Sequence, residues 1–352
     1  MAWYEAEKRD LPWRRTNDIY KIWVSEVMLQ QTQVAAATPY WLRFIEAFPT
    51  VRRLAEAEEE RVLKLWEGMG YYNRCRNLHR AAKIVVEEMN GVVPTDPQQF
   101  RTLPGAGPYI TAAVMSIGAN QPLAAVDGNV MRVFARFTGL EEDVAKNTTK
   151  SHITGELQAV IPESCPGDFN QAMMELGALV CVPKRPRCLL CPLKEECAAL
   201  RTGQTDRLPI KAPKKKVPEY NVSVAVITRG DTFFIQKRPA DGHLGGMWEF
   251  PGGKSNDGES PAETVARECR EELGIEVRVL EELARVNHAY SHFKIKLTVF
   301  VCDAGEQAVR PLDGQDHQWI AVEDIPRFPF PAANHKFFPV LIRYFADQQG
   351  SL

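Results

Sequence analysis

Cys181-Val-Pro-Lys-Arg-Pro-Arg-Cys188-Leu-Leu-Cys191-Pro-Leu-Lys-Glu-Glu-Cys197 gathers four cysteines into seventeen residues, spaced C-x6-C-x2-C-x5-C. The other four, Cys75, Cys165, Cys269 and Cys302, are scattered and read as ordinary core or surface thiols. In a reducing compartment such a cluster points to metal rather than to disulfides. Four thiolates suit structural zinc or a [4Fe–4S] cluster. Zinc ribbons bring two C-x2-C knuckles together, and this stretch holds one. Lys184, Arg185 and Arg187 lie in the loop between the first two cysteines, where ligands at both ends would present them rigidly to phosphates.

Toward the N-terminus the pattern is helical. Apolar residues recur at three- or four-residue spacing over 19–31, 40–48, 58–66, 78–89, 109–119 and 169–180, with Gly, Pro or Asn/Asp between the runs. Toward the C-terminus, residues 201–219 are basic and contain three prolines in LPIKAPKKKVP, which reads as a connector. Beyond it, VSVAVIT, TFFIQKR, KIKLTVFVC and HQWIAV read as strands, and 262–273 as a helix. The expected architecture is multidomain: an all-helical domain over 1–200, a linker over 201–219 and a mixed-sheet α/β domain over 220–352.

Composition agrees. A chain of 352 residues suits two domains, and 45% hydrophobic with 25% charged residues describes a globular protein with substantial cores. Those values exclude a wholly disordered, collagenous or membrane-embedded chain. No uncharged apolar run approaches the ~20 residues needed to cross a bilayer, and the charged first ten residues lack an apolar signal segment. A cytoplasmic, in a prokaryote nucleoid-associated, monomer without membrane association is expected. The net charge of -2 announces no global positive field, so motifs must decide whether nucleic acid is a partner.

Three motifs do so. Leu103-Pro-Gly-Ala-Gly-Pro-Tyr109 places Gly105 and Gly107 before a helix, where a tight turn exposes amide groups to an anion; its plainer reading is a helix–helix turn. Asp127, in Ala125-Val-Asp-Gly-Asn-Val130, reads first as a helix N-cap, a position that also keeps a carboxylate fixed and ionised. Glu26 interrupts the apolar Ile22-Trp-Val-Ser-Glu-Val-Met-Leu29, and a carboxyl on an apolar face has its charged form disfavoured. One protonated carboxylic acid beside one ionised carboxylate is the division of labour that glycosidic cleavage requires.

The cysteine spacing and the L-P-G-x-G turn resemble the endonuclease III superfamily of helix-hairpin-helix DNA glycosylases, which implies an iron–sulfur cluster held by Cys181, Cys188, Cys191 and Cys197. Bifunctional lyases of that superfamily carry a lysine just after the hairpin; here Tyr109 stands there, and a phenol forms no Schiff base. Trp23-Val-Ser-Glu-Val-Met-Leu-Gln-Gln-Thr-Gln-Val34, Glu67-Gly-Met-Gly-Tyr-Tyr72 and Val126-Asp-Gly-Asn-Val130 make residues 8–200 similar to MutY-type adenine DNA glycosylases. That family removes adenine opposite 8-oxoguanine in double-stranded DNA. The resemblance implies that Glu26 protonates the adenine and activates water, and that Asp127 stabilises the cationic sugar or traps it covalently, with support from Asn129 and Tyr109. It implies that Leu103, Gly105 and Gly107 grip the DNA backbone and that Gln31, Thr32, Met69 and Tyr71 wedge the stack open around the lesion. Leu11, Trp13, Arg14, Val34 and Gln171 would line the pocket for the flipped adenine.

In the C-terminal half, Gly253-Lys-Ser-Asn-Asp-Gly-Glu259 followed by Arg267-Glu-Cys-Arg-Glu-Glu-Leu-Gly-Ile275 matches the Nudix pattern, with Cys269 where an aliphatic residue is usual. Glu268, Glu271 and Glu272 share a helix face by their i, i+3, i+4 spacing, which suits Mg²⁺. MutY-type enzymes carry a Nudix-like domain with a degenerate box that reads 8-oxoguanine. The intact box here is a departure, and reads either as an inactive remnant or as a second site hydrolysing oxidised nucleotides. Ser291 and His292, in Asn287-His-Ala-Tyr-Ser-His-Phe293, resemble the lesion-reading loop. The competing readings are a pyrimidine-damage glycosylase-lyase, disfavoured by Tyr109, and a nucleotide-pool hydrolase whose helical half only binds DNA.

Overall fold

The computed structural model describes residues 1–212, 217–239, 244–290 and 292–349. It divides into two compact units, Met1–Ala57 with Arg74–Lys214, and Glu58–Asn73 with Lys215–Leu352.

The first unit is helical: α1 Ala2–Glu7, α2 Ile19–Leu29, α3 Val34–Ala47 and α4 Val51–Ala55 precede the break. After α5, Glu59–Trp66, which belongs to the second unit, come α6 Tyr72–Glu88, α7 Pro97–Arg101, α8 Pro108–Ala119 and α9 Gly128–Thr138. The series ends with α10 Asn147–Val160, α11 Pro166–Leu179 and α12 Ala198–Arg201. Helices α2, α8, α9 and α11 form its centre. Ile22–Met28 of α2 and Ile110–Ser116 of α8 are buried on every side, so these helices have no solvent face and few polar residues to place. Gly177 lets α11 close on α9: a Cβ there would come within 2.6 Å of Asn129 Cβ.

The second unit is a sheet between two helices. Its strands are β1 Glu219–Arg229, β2 Thr232–Lys237, β3 Trp248–Glu249, β4 Gly252–Lys254, β5 Arg278–Ala289, β6 Lys294–Asp303 and β7 His317–Ile320. The order is β3-β2-β1-β6-β5, with β4 also on β1 and β7 also on β2. Strands β1 and β6 run parallel and the other pairs antiparallel. Alternation along β1 sends Val226 to one core with Phe233, Phe250, Phe330 and Leu341, and Ala225 and Ile227 to the other with Val265, Cys269 and Leu273. Helix α14, Phe338–Gln349, covers the first face and α13, Pro261–Leu273, the second. Ser260 and Glu263 cap the start of α13 reciprocally, and Gly274, at φ 67°, ends it.

Three expectations change. Residues 58–73 pack with the C-terminal unit although their helical sequence precedes the hairpin. The connector is partly structured, because Leu208 is buried, Arg136 Nε donates to its carbonyl at 2.9 Å and Val144 N donates to Ile210 O at 3.1 Å. Strand β5 was not among the expected strands: its Leu-Glu-Glu-Leu-Ala composition favours helix, and pairing with β6 overrides it through two register shifts. Among the described residues no helix is long and apolar enough to cross a membrane.

Candidate active site

Glu26 lies midway along α2 and is 6% exposed. Tyr109, in the first turn of α8, donates its hydroxyl to Glu26 Oε2 at 2.9 Å. Burial pushes the Glu26 carboxyl up to about 7; Asp127 adds to that rise, while the Tyr109 hydrogen bond and the Arg14 charge oppose it. Tyr109 is itself pushed well above the usual phenol range by burial and then by the charges of Glu26 and Asp127, so it remains a hydroxyl donor. Asp127 is the N-cap of α9. Its Oδ1 accepts from the amides of Asn129 and Val130, each at 2.8 Å, and its Oδ2 from Asn129 Nδ2 at 2.8 Å. All three donors converge on its two oxygens. The structure thus joins Tyr109 to Glu26 and Asn129 to Asp127, with Asp127 near enough for its charge to act on Glu26.

A polar chain continues behind this pair. Asn129 Oδ1 accepts from Arg132 Nη2 at 2.8 Å, and Arg132 Nε donates to Cys181 O at 2.7 Å. One turn on, the buried Arg136 donates to Cys181 Sγ at 3.4 Å and to Val182 O at 2.8 Å. Cys181, Cys188, Cys191 and Cys197 all line one cavity, with Arg136 and Lys194 on its wall. Burial raises the Cys188 and Cys191 thiols, and neighbouring cysteine charges raise them further. The four cysteines share this lining with the buried Arg136, and four thiolates suit an iron–sulfur cluster by donor chemistry, although the side chains as they stand are not drawn together as metal ligands.

Of the expected adenine-pocket residues, Leu11 and Trp13 are buried in and beside the 3-10 turn Pro12–Arg15, and Val34 opens α3 half-buried. Arg14 Nε donates to Gln171 Oε1 at 3.0 Å, joining two of them directly. Glu175, which sequence reasoning passed over, organises the group: it pairs with Arg9 at 2.8 Å and Arg14 at 3.0 Å and is 1% exposed. Its signal was available, since it interrupts Met173-Met174-Glu-Leu176 as Glu26 interrupts α2. Arg74, also missed, donates Nη1 to Val27 O and Met28 O at 3.0 Å and to Gln30 O, and its Nη2 to Thr32 Oγ1 at 3.2 Å. It thereby closes the C-terminal end of α2 and holds the turn with Gln31, whose φ is 59°.

The hairpin Leu103–Gly107 turns through Gly105 at φ 80°, with Leu103 buried and Gly107 exposed as the N-cap of α8. Met69 and Tyr71 stand on the turn that follows α5 in the second unit, and Gln31 and Thr32 follow α2 in the first. His292 is exposed in the turn between β5 and β6, while Ser291 lies outside the described residues.

The Nudix carboxylates depart from expectation. Glu268 and Glu271 both bind Arg267, at 2.9 and 3.0 Å, and Glu271 is exposed. Glu272 is turned inward, accepting from Gln236 Nε2 at 2.9 Å and Gly252 N at 3.1 Å. Burial raises it to about 7, against those two hydrogen bonds. Glu249, missed in the sequence, is also raised to about 7 by burial, opposed by Arg238. Among the described residues no group of three or more His, Cys, Asp or Glu is disposed to hold a metal ion. Arg267 thus holds Glu268 and Glu271, while Glu272 turns to Gln236 and Gly252, close enough to Glu268 for that charge to raise it.

Residues 24–162 match the HhH-GPD superfamily of base excision DNA repair proteins, and residues 223–339 match the NUDIX domain. The chain is 33% identical to the adenine DNA glycosylase of Rattus norvegicus, over 97% of this chain and 76% of that one. It is 31% identical to that of Buchnera aphidicola subsp. Acyrthosiphon pisum, over 83% of this chain and 82% of that one. Among solved structures, a thermostable thymine-DNA glycosylase is 26% identical with a TM-score of 0.52, covering 57% of this chain and 93% of that one. A buried acid and a capping carboxylate on a helical scaffold, with identity running through both units, show that the chain belongs to the adenine DNA glycosylase family, enzymes of base excision repair.

Proposed function

We propose that the protein removes adenine mispaired with 8-oxoguanine or guanine from double-stranded DNA, hydrolysing the N-glycosidic bond without cutting the strand. The observation that carries this is Glu26, buried and held near neutrality by burial, hydrogen-bonded to Tyr109 and within electrostatic reach of Asp127. Adenine must leave the stack to meet such a buried group. Glu26 gives its proton to the departing base as the C1′–N9 bond breaks, and Asp127, held by three N–H donors, stabilises the cationic sugar. Water then adds to C1′ and returns its proton to Glu26. Tyr109 cannot form an imine, so the product is an abasic site.

Cys181, Cys188, Cys191 and Cys197 would hold a [4Fe–4S] cluster, which ties down the basic loop Val182–Arg187 for backbone phosphates. The chain's own part is done by Arg132 and Arg136, which fix the carbonyls and sulfur of that segment. The C-terminal domain reads the lesion through Ser291 and His292, while Gln31, Thr32, Met69 and Tyr71 hold the stack open.

The test incubates the protein with duplexes bearing A opposite 8-oxoguanine, with and without alkali. Strand breaks should appear only after alkali, and the preparation should contain about four irons per chain. Cleavage without alkali, or release of a damaged pyrimidine instead of adenine, overturns the assignment; a single zinc overturns the cluster.

A further inference from the structure

The turn that follows α5 runs through left-handed backbone and is pinned by contacts. Gly68 and Gly70 adopt φ 90° and 75°, and Tyr71, without a glycine's freedom, adopts 51°. A left-handed non-glycine conformation persists only where surrounding contacts over-determine it. Within the turn, Gly68 N donates to Tyr72 Oη at 3.0 Å and Trp66 Nε1 to Gly70 O at 3.1 Å. One external anchor is Glu67, whose side chain is 12% exposed. Its Oε1 accepts from Phe330 N at 2.7 Å and lies 3.1 Å from His335 Nε2. Its Oε2 accepts from Lys64 Nζ at 2.6 Å, and that ammonium also donates to Phe328 O at 2.8 Å. Phe328 and Phe330 belong to the sheet core beneath α14. Burial pushes the Glu67 carboxyl upward, but His335, Lys64 and the Phe330 amide together hold it below its ordinary value.

We propose that Glu67 is a positioning residue: it fixes the Gly68–Tyr71 turn on the C-terminal domain, so that domain sets where the turn probes the base opposite adenine. The proposal rests on the function proposed above and adds a role that the turn's own residues do not have. The turn then moves with the sheet domain, and discrimination depends on the anchor without requiring Glu67 to contact DNA. The carboxylate is suited to the task because one group meets a buried amide, the Lys64 ammonium and the His335 ring at once, and an alanine there would leave the Phe330 amide without this acceptor.

The test compares full-length wild type, Glu67→Ala and Glu67→Gln in single-turnover excision from duplexes with A opposite 8-oxoguanine and A opposite guanine. Amide exchange at residues 68–71 is measured on the same proteins. In E67A the preference for 8-oxoguanine should fall about tenfold, the cost of one or two hydrogen bonds. The loss should lie on the 8-oxoguanine arm, with the guanine arm within about twofold of wild type, and exchange at 68–71 should rise. E67Q keeps an acceptor for the Phe330 amide and should recover most of the preference. If E67A folds poorly, His335→Ala leaves the carboxylate in place and should give the same loss at smaller size. Equal losses on both duplexes, an unchanged preference, or unchanged exchange overturns the proposal, as does a wild type that excises without discriminating. A wild type that excises adenine from neither duplex refutes the proposed function instead.

Discussion

Glu26 and Glu175 are both glutamates on buried helices of the same unit, 6% and 1% exposed, yet burial leaves them in opposite states. Desolvation raises both. At Glu26 burial outweighs the Tyr109 hydroxyl and the Arg14 charge that oppose it, and the nearby charge of Asp127 works in the same direction as burial, so it rises to about 7. At Glu175 burial is outweighed by two guanidinium groups and the Arg9 amide, and the carboxyl falls to about 2. Partner chemistry, more than depth, separates a group able to give a proton from one that serves as a fixed anion. The first is suited to protonate a leaving base; the second holds Arg14 against Gln171.

The largest effect expected from this contrast is on chemistry. Glu26→Gln should lower adenine excision by roughly a thousandfold, since an amide neither gives nor recovers the proton. Duplex affinity and thermal stability should change little, as gel-shift titration and melting curves would show. Residual turnover within tenfold of wild type would remove Glu26 from the reaction.

Glu175→Gln should do the reverse. Breaking a buried ion pair leaves Arg9 and Arg14 uncompensated and should cost roughly 2–4 kcal/mol of stability, discounted because Arg9 is a third exposed. The two carboxyls should also give opposite pH dependences of stability. Glu26, raised from 4.5, contributes stability below about 4.5 that is lost as pH climbs through about 7. Glu175, lowered from 4.5, contributes stability above about 4.5 that is lost as pH falls through about 2. Denaturant titrations of wild type and both variants from pH 3 to 9 read both slopes; a common slope would erase the distinction.

The finest test is Tyr109→Phe. The lost hydrogen bond favoured the Glu26 carboxylate, so its removal raises the carboxyl further and moves the alkaline limb of excision to higher pH. About 1 kcal/mol for the bond corresponds to a shift of roughly 0.7 pH unit. A limb that moves to lower pH would mean that Tyr109 stabilises the acid form instead.

Much of the scaffold is legible in the chain. Period-3.6 runs located α2, α5, α8 and α11 to within a few residues, and β-branched alternation located β1, β2, β6 and β7. Helix α10, with Asn147-Thr-Thr-Lys-Ser at its start, and strand β5, with helix-favouring residues, were not found because neighbours rather than local propensity determine them. Within the site, Glu26 and Asp127 announced themselves, one as a charge in an apolar run and the other as an Asx residue before a helix. Arg74, Arg132 and Arg136 did not, because an arginine's sequence neighbours do not show which distant carbonyls it will meet.

Sequence by itself determined the order of the helical and sheet halves, the cysteine spacing and the placement of Asp127 as a cap. Each of these depends on residues a few positions apart, whose geometry helix pitch, strand alternation and capping set locally. Only the tertiary structure assigned residues 58–73 to the C-terminal unit, turned Glu272 inward while Arg267 took Glu268 and Glu271, and distinguished Glu26 from Glu175. Tyr109 reaches Glu26 across 83 positions, and Arg9 and Arg14 reach Glu175 across more than 150. Desolvation and charge pairing are summed over whatever the fold brings near, and that sum is not written in any one stretch of the chain.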